Sequence, residues 1–202
     1  MSGFLYNYKY AKVMSFWLSF MHINALVNKK LIGALRPSTD DVILEIGCSR
    51  GETVSFVRQF SRSTVGIDIN KEAVENAVVP GICSMDAINL NFPDGHFDKI
   101  YSLQTIEHIR DLRRAFLEME RVLKAEGTIV LSYPFELVRG ISCLGTALFV
   151  HKNILAAREM HLHKLDRKKV EELIRGTKLR IKEHSLCLLP LPVFLTTLVK
   201  TA

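Results

Sequence analysis

The stretch VILEIGCSRGE, Val42 to Glu52, decides the fold of this 202-residue chain. The apolar run from Val42 to Ile46 stops at Gly47, and helical periodicity begins just after Gly51. This pattern predicts a buried strand, a tight glycine turn and the start of a helix. Glycine lets a backbone bend sharply and lets a ligand approach without a β-carbon in the way. A strand, a turn and a helix in this order are typical of a cofactor site in an α/β fold.

The residues around the turn narrow the choice of cofactor. The dinucleotide fingerprint G-x-G-x-x-G requires a glycine at the place where this chain has Glu52. Glu45 would repel a pyrophosphate at the start of the helix and would attract an ammonium or sulfonium group. We therefore expect a cationic ligand. The alternative is an ordinary α/β turn in which Glu45 caps the following helix.

The segment from Glu45 to Gly51 resembles the E-x-G-x-G-x-G signature of class I S-adenosylmethionine-dependent methyltransferases, with Ser49 in place of the middle glycine. The resemblance implies that the turn lies against the methionine part of S-adenosyl-L-methionine, whose product is S-adenosyl-L-homocysteine. Serine is small, so we expect it to narrow the pocket only slightly. The cofactor-binding residues implied here are Glu45, Gly47, Cys48, Ser49 and Gly51.

Asp68 ends a second predicted strand, Thr64 to Asp68. A carboxylate at the carboxyl end of such a strand can accept hydrogen bonds from both hydroxyls of a ribose. The stretch GIDIN resembles the second landmark of the same family, which implies Asp68 as the ribose ligand and Ile69 as an apolar surface beside the adenine. The alternative is that Asp68 caps the helix beginning near Lys71.

A third site segment, Met85-Asp86-Ala87, follows a short predicted strand from Gly81 to Ser84. In this family an acid at that place reads the adenine edge together with the next backbone amide. The resemblance thus implies contacts from Asp86 and Ala87, and packing of Met85 on the ring. The alternative is simple turn chemistry by an aspartate in a loop.

The segment NFPDGHFDKIYSLQTIEHI at 91–109 resembles the F-P-D, F-D and E-H layout of methyltransferases of the ubiquinone-biosynthesis type, also called methyltransferase type 11. Phe97 to Ser102 is predicted to be a buried strand. The resemblance implies that Leu103 and Gln104 line the pocket between cofactor and acceptor. His108 is a candidate general base toward an acceptor hydroxyl. The alternative is that His108 caps or packs the following helix.

The rest of the chain continues the alternation of strands and helices. We predict a helix at Asp111 to Leu123, a strand at Gly127 to Ser132 and a last helix at Asp166 to Arg175. Two closing strands follow, at Lys178 to Leu188 and Val193 to Val199. With the resemblance, this predicts an α/β, Rossmann-like, doubly wound seven-stranded sheet, mostly parallel with a reversed edge strand, and with helices on both faces.

We expect two parts in the chain: a helical extension at 1–37 and a methyltransferase domain at 38–202. The extension has five basic residues and no acid, and apolar residues at helical spacing. It could pack on the domain, close over the acceptor as a lid, or lie on an anionic membrane. We expect no signal peptide and a cytoplasmic protein, with a membrane-peripheral location as the alternative.

Two classes of site are disfavoured by the sequence. His161 and His163 form an H-x-H pair, but no third ligand is evident nearby in the sequence, so we expect no metal. Nucleic-acid methylation is disfavoured as the activity, because Ser102 to Thr105 stands where the N/D-P-P-Y/F motif would be and the sequence has no Pro-Cys nucleophile.

The function predicted from these features is methyl transfer from S-adenosyl-L-methionine to a small-molecule or lipid-like acceptor by in-line displacement. Because the sulfonium is already activated, orientation and exclusion of water are the main tasks of such a protein. One alternative is a non-catalytic S-adenosylmethionine-binding regulator or scaffold. Another is a peripheral membrane module that acts through residues 1–37.

Overall fold

The structure is a computed structural model that describes residues 23–137, 161–188 and 192–202. The predictions for residues 1–22 lie outside the described residues. The strands are β1 Ile43–Ile46, β2 Thr64–Asp68, β3 Ile82–Ser84, β4 Phe97–Leu103, β5 Leu123–Pro134, β6 Leu179–Leu188 and β7 Pro192–Lys200. The helices are α1 Ile23–Leu35, α2 Glu52–Val57, α3 Lys71–Glu75, a 3-10 turn Ile106–His108, α4 Leu112–Val122 and α5 Arg167–Leu173.

The seven strands form one sheet in the order β3-β2-β1-β4-β5-β7-β6. Strands β1 to β5 pair in parallel, and β7 runs antiparallel to both of its neighbours, β5 and β6. The predicted seven-stranded, mostly parallel sheet with one reversed strand is therefore confirmed. The position of the reversed strand needs correction, because β7 lies one place in from the edge and β6 forms the edge.

The side chains of the two closing strands explain that position. β7 buries Thr196, Thr197 and Leu198 and pairs on both sides. β6 exposes the charged side chains of Lys182 and Glu183. Charges on an edge strand discourage further pairing with other chains, so the more polar strand of the two takes the edge.

Helices cover both faces of the sheet, as predicted. On one face, α1 and α2 pack Leu31, Leu35 and Val57 against strand residues that include Ile43. On the other face, a larger cluster joins α4 and α5 to the sheet, and Leu44 points into it. The opposite orientation of these two neighbours in β1 follows from the two-residue alternation of a strand.

The described part of α1 is a helix packed on the sheet, because Leu31 and Leu35 are each only 1% exposed. Burying a leucine of this kind contributes roughly 1.5–3 kcal/mol. The lid and membrane interpretations were made for residues 1–37 as a whole. The packed helix α1 agrees with packing on the domain, and for the residues before it all three interpretations stay predictions. In the part of the chain that the structure describes, no helix has the length and apolar character needed to cross a membrane.

Glu118 and Arg121 on α4 form hydrogen bonds with the backbone of the loop between β3 and β4. Glu118 accepts the backbone N–H of Leu90 at 2.9 Å, and Arg121 donates to the carbonyls of Leu90 and Phe92 at 2.7 and 2.8 Å. The guanidinium of Arg121 bonds the Glu118 carboxylate and lowers its pKa. The loop that carries the third site segment is thus fixed against the helix.

Candidate active site

The segments singled out in the sequence meet at one edge of the sheet. The glycine turn follows β1, Asp68 ends β2, Met85 follows β3 and Gln104 follows β4. Because these four strands are parallel, their carboxyl ends lie side by side, and ligands of open α/β sheets bind at that edge. The structure therefore brings the predicted cofactor residues together.

The glycine turn leaves no room for larger residues at its two ends. Gly47 and Gly51 have φ of 78° and 83°, in the left-handed region that favours glycine. A β-carbon on Gly47 would lie 2.2 Å from the Thr105 side chain, and one on Gly51 would lie 2.7 Å from Ile82. The carbonyl of Ile67 accepts the N–H of Gly47 at 2.8 Å, which ties the turn to β2.

Ser49, at the middle of the turn, has a φ of 50°. An L-residue in this conformation costs roughly 1–2 kcal/mol, which explains why the family signature has glycine here. The N–H of Ser49 donates to Asp68 Oδ2 at 2.7 Å. This bond links the first and second site segments directly.

Cys48 packs between the glycine turn and strand β2. Its side chain is 4% exposed and lies over Gly66 of β2, where a β-carbon would come within 2.7 Å of the sulfur. Burial raises the pKa of the Cys48 thiol well above its usual range, and the neighbouring carboxyls of Glu45 and Asp68 raise it further. The thiol is therefore unreactive and fills space between the turn and the sheet.

Glu45 is buried at 3% exposure, and its carboxylate accepts a hydrogen bond from the hydroxyl of Tyr101 at 2.9 Å. Burial raises the pKa of Glu45 to about 8, and the Tyr101 hydroxyl and the N–H of Val54 partly oppose that rise. Val54 lies in the first turn of α2, so this contact joins Glu45 to the start of the helix. Without a cation beside it, most of the carboxyl is protonated at neutral pH.

The Asp68 carboxylate has two backbone partners, Ser49 N–H on Oδ2 and Asn70 N–H on Oδ1 at 2.8 Å. Each oxygen keeps a further lone pair for a ligand hydroxyl. Burial raises the pKa of Asp68, and these bonds oppose the rise. The alternative that Asp68 caps α3 is wrong, because Asn70 is the cap and accepts the N–H of Ala73. Ile69 beside it is 70% exposed and forms an open apolar surface.

The third site segment performs the turn chemistry that its alternative interpretation describes. Asp86 Oδ1 accepts the N–H of Ile88 at 3.1 Å, and its carbonyl accepts the N–H of Asn89 at 3.0 Å. Met85 donates its N–H to the Asp68 carbonyl at 3.0 Å, so the segment continues beside the ribose candidate. Ala87 is buried in the larger apolar cluster. The role of the segment at adenine stays a prediction.

The loop after β4 is held in an unusual backbone conformation. Gln104 has a φ of 50°, its N–H donates to the Ser132 carbonyl at 2.8 Å, and its side-chain amide donates to Ser132 Oγ at 3.0 Å. Leu103 packs partly into the cluster under α1 and α2. Thr105 donates to the Leu103 carbonyl at 3.0 Å. A non-glycine residue with positive φ is uncommon, and such residues cluster at active sites and ligand-binding loops.

Glu107, His108, His161 and Glu136 form a polar cluster just beyond this loop. The sequence did not predict that these residues lie together. Glu107 is 1% exposed. The centroids of the His108 and His161 rings lie 4.9 Å apart. Nδ1 of His161 lies 3.0 Å from Glu136 Oε1. Burial raises the pKa of Glu107 to about 8, and the nearby Glu136 raises it too.

The H-x-H pair does not act as a pair. Nε2 of His163 bonds the carbonyl of Ile109 at 2.8 Å, whereas His161 faces Glu107 and His108. The sequence offered no third ligand near the pair, and the structure supplies ligand-type side chains from the end of β4. His108 is half-buried in this group, and its role as a base stays a prediction.

Comparison with known proteins adds a family to this geometry. Residues 44–131 match the family described as methyltransferase domain. Over 100 residues the chain is 32% identical to ajmaline N-methyltransferase of Rauvolfia serpentina, which covers 44% of this chain and 34% of that protein. It is 33% identical to the uncharacterized methyltransferase YcgJ of Bacillus subtilis over 98 residues, which covers 44% of this chain and 39% of that protein. The chain thus spans about a third of the length of the curated relatives it matches.

Solved structures share the fold at lower identity. The crystal structure of YcgJ superposes with a TM-score of 0.70 at 17% identity, covering 87% of this chain and 98% of that one. Geranyl diphosphate C-methyltransferase from Streptomyces coelicolor A3(2), solved with Mg²⁺, geranyl diphosphate and S-adenosyl-L-homocysteine, gives 0.70 at 15% identity, covering 90% and 80%. Residues 44–131 thus match the methyltransferase domain family, and the seven-stranded sheet is the fold that this chain shares with these solved methyltransferase structures.

Proposed function

We propose that this chain binds S-adenosyl-L-methionine at the carboxyl edge of β1 to β3 and transfers its methyl group to a small-molecule or lipid-like acceptor. The observation that carries the proposal is the bond from Ser49 N–H to Asp68 Oδ2, 2.7 Å long. It joins the glycine turn to the acid that would hold the ribose, so one ligand can contact both.

Each site residue has a task in this proposal. Gly47, Ser49 and Gly51 shape the turn for the methionine part, and the Glu45 carboxyl meets its ammonium group. Asp68 accepts the ribose hydroxyls. Cys48 is assigned to supporting the turn.

The adenine would lie between the exposed face of Ile69 and the third site segment. Met85 packs there, and Asp86 with the backbone of Ala87 reads the edge of the ring.

The acceptor would enter beside the loop after β4. The bound cofactor supplies an activated methyl group, so this chain mainly holds the acceptor in line and keeps water away. Leu103, the last residue of β4, and Gln104 just after it would face the acceptor, because β4 lies next to the strand that leads into the glycine turn. A base such as His108 is needed only where the acceptor must lose a proton.

The proposal is tested by calorimetric titration of the purified chain with S-adenosyl-L-methionine and S-adenosyl-L-homocysteine. Asp68→Asn should weaken both ligands by about 10-fold or more, since hydrogen bonds to a charged group contribute roughly 1.5–3 kcal/mol. Glu171→Gln is the matched control, because Glu171 is an exposed acid on α5 that pairs only with Arg167 among the described residues. Absence of binding by the folded wild-type chain would refute the proposal.

Catalysis is then separated from mere binding with a labelled methyl group. Transfer to candidate small hydroxyl, amine or prenylated acceptors would support an enzyme. Tight cofactor binding without transfer to any acceptor class would instead support the non-catalytic alternative.

A further inference from the structure

A compact set of metal-ligand side chains lies at the carboxyl end of β4, outside the proposed cofactor contacts. Glu107, His108 and His161 each offer one ligand atom, and these atoms lie within 4.8 Å of one another. Ligand atoms that share one metal ion at about 2.0–2.2 Å must lie a little closer than this. Small side-chain adjustments would therefore bring all three to a common ion.

The environment of Glu107 indicates a bound ligand independently of the distances between these atoms. Its side chain is 1% exposed, and its Oε2 has no hydrogen-bond partner among the residues that the structure describes. A buried carboxylate oxygen without a partner is costly, and an ion is one of the few groups that can satisfy it.

The surrounding contacts hold these side chains in place. The Glu107 carbonyl accepts the N–H groups of Leu162 and His163 at 2.9 and 3.2 Å, which fixes the segment of His161 against the 3-10 turn. Glu136 bonds Nδ1 of His161 at 3.0 Å. A carboxylate behind a histidine fixes its tautomer and strengthens the other ring nitrogen as a ligand, as in many metal sites.

We propose that Glu107, His108 and His161 bind one divalent transition-metal ion of the zinc type, with Glu136 orienting His161. One carboxylate and two imidazoles suit such an ion better than Mg²⁺ or Ca²⁺, which prefer oxygen ligands. Three protein ligands also leave at least one coordination position open for a water or a substrate.

The use of this ion rests on the proposed methyl transfer. An acceptor hydroxyl at the open position loses its proton more easily and is held in a fixed place. Its oxygen then bonds to the methyl carbon as the carbon–sulfur bond breaks, the electron pair of that bond stays on sulfur, and the acceptor proton leaves to solvent. No electrons are exchanged with the metal. His108 then acts as a ligand and not as a general base.

The test uses the full chain after removal of metal with a chelator. Titration with Co²⁺, followed by its visible absorption, and with Zn²⁺ by calorimetry should give one ion per chain. Glu107→Gln and His161→Asn should each weaken binding by about 100-fold or more, since loss of a group that only supports a ligand already costs roughly 10–100-fold. His96→Asn is the control, because His96 is an exposed histidine that stacks on Phe92 away from the cluster. Equimolar Mg²⁺ should not compete.

Several results would overturn the proposal. One is the absence of stoichiometric binding by the folded wild-type chain, which would leave Glu107 simply protonated. Another is binding that neither variant weakens. Circular dichroism shows whether each variant folds, and if Glu107→Gln does not, the half-buried His108 provides a replacement in His108→Asn, with the same expected loss.

The same metal-free protein is titrated with S-adenosyl-L-homocysteine, so that the two proposals fail separately. Zinc binding without cofactor binding would refute the proposed function and keep the metal site. Cofactor binding without zinc binding would refute the metal site alone.

Discussion

Cofactor binding should release a proton from Glu45, and Glu45→Gln should abolish that release. Burial raises the pKa of Glu45 to about 8, so at neutral pH the carboxyl is mainly neutral. An ammonium group beside it favours the ionised form. Binding below pH 8 therefore requires the carboxyl to lose its proton, and lower pH makes that loss more costly.

The size of the effect follows from the same pKa. Between about pH 6 and about pH 7 the ionised fraction of Glu45 rises about tenfold, so the affinity should rise about tenfold, equal to about 1.4 kcal/mol. The α-amino group of the ligand, with a pKa of roughly 7.7–8.0, stays protonated over this range. The wild-type chain should thus release close to one proton per ligand bound, whereas Glu45→Gln should bind with almost no dependence on pH.

Calorimetry of S-adenosyl-L-homocysteine binding in two buffers of different ionisation enthalpy counts the protons directly. Glu107→Gln is the matched control, because Glu107 has a similarly raised pKa but lies in the 3-10 turn, away from the glycine turn. It should keep the wild-type dependence. An equal proton release in Glu45→Gln would refute the reasoning and would assign the linkage to Asp68, whose pKa is also raised.

Three further predictions concern the turn and the buried carboxyls. Ser49→Gly removes the cost of a φ of 50° and should raise the free energy of unfolding by roughly 1 kcal/mol in urea titrations; an unchanged or lower value would contradict the strain. Gly47→Ala places a β-carbon 2.2 Å from Thr105 and should cost about 2 kcal/mol or more, which wild-type stability of that variant would disprove. The Glu107 carboxyl, with its pKa raised to about 8, stabilises the metal-free fold at low pH, and this contribution is lost as pH rises toward 8. In Glu107→Gln the free energy of unfolding should therefore fall less steeply, by about 1.4 kcal/mol per pH unit between about pH 5 and about pH 8. Parallel curves of unfolding free energy against pH for the two proteins would contradict this prediction.

Local patterns in the sequence, together with the family resemblance, predicted the sheet and the edge at which the site segments meet. Each apolar run ends in a polar or glycine-rich loop, so the strand ends could be placed closely. The helix predicted at Asp111 to Leu123 is observed at Leu112–Val122. The strand predicted at Gly127 to Ser132 is longer, Leu123–Pro134, because its pairing with β4 begins before the apolar run does.

Contacts between residues that are far apart in the chain could not be predicted from the sequence. The hydrogen bond of Tyr101 to Glu45 depends on the register that sets these residues side by side in β4 and β1. No local motif encodes that register. The group formed by Glu107 and His161 likewise depends on how two separate segments meet after the sheet is built.

The sequence also could not decide which of two neighbouring residues caps a helix. Asp68 and Asn70 are both good helix caps, and only the structure assigns the cap to Asn70. That assignment leaves the Asp68 carboxylate to the glycine turn.

The seat of Cys48 over Gly66 makes the tolerance of one position depend on the other. A side chain introduced at Gly66 alone would collide with the sulfur, whereas after Cys48→Gly the same change would meet a smaller set of atoms, with the Val54 side chain still 2.9 Å from the new β-carbon. The two positions should therefore accept substitutions as a pair and reject many of them singly. Libraries that vary this turn need to vary β2 at the same time, or they will miss functional sequences that lie two changes away.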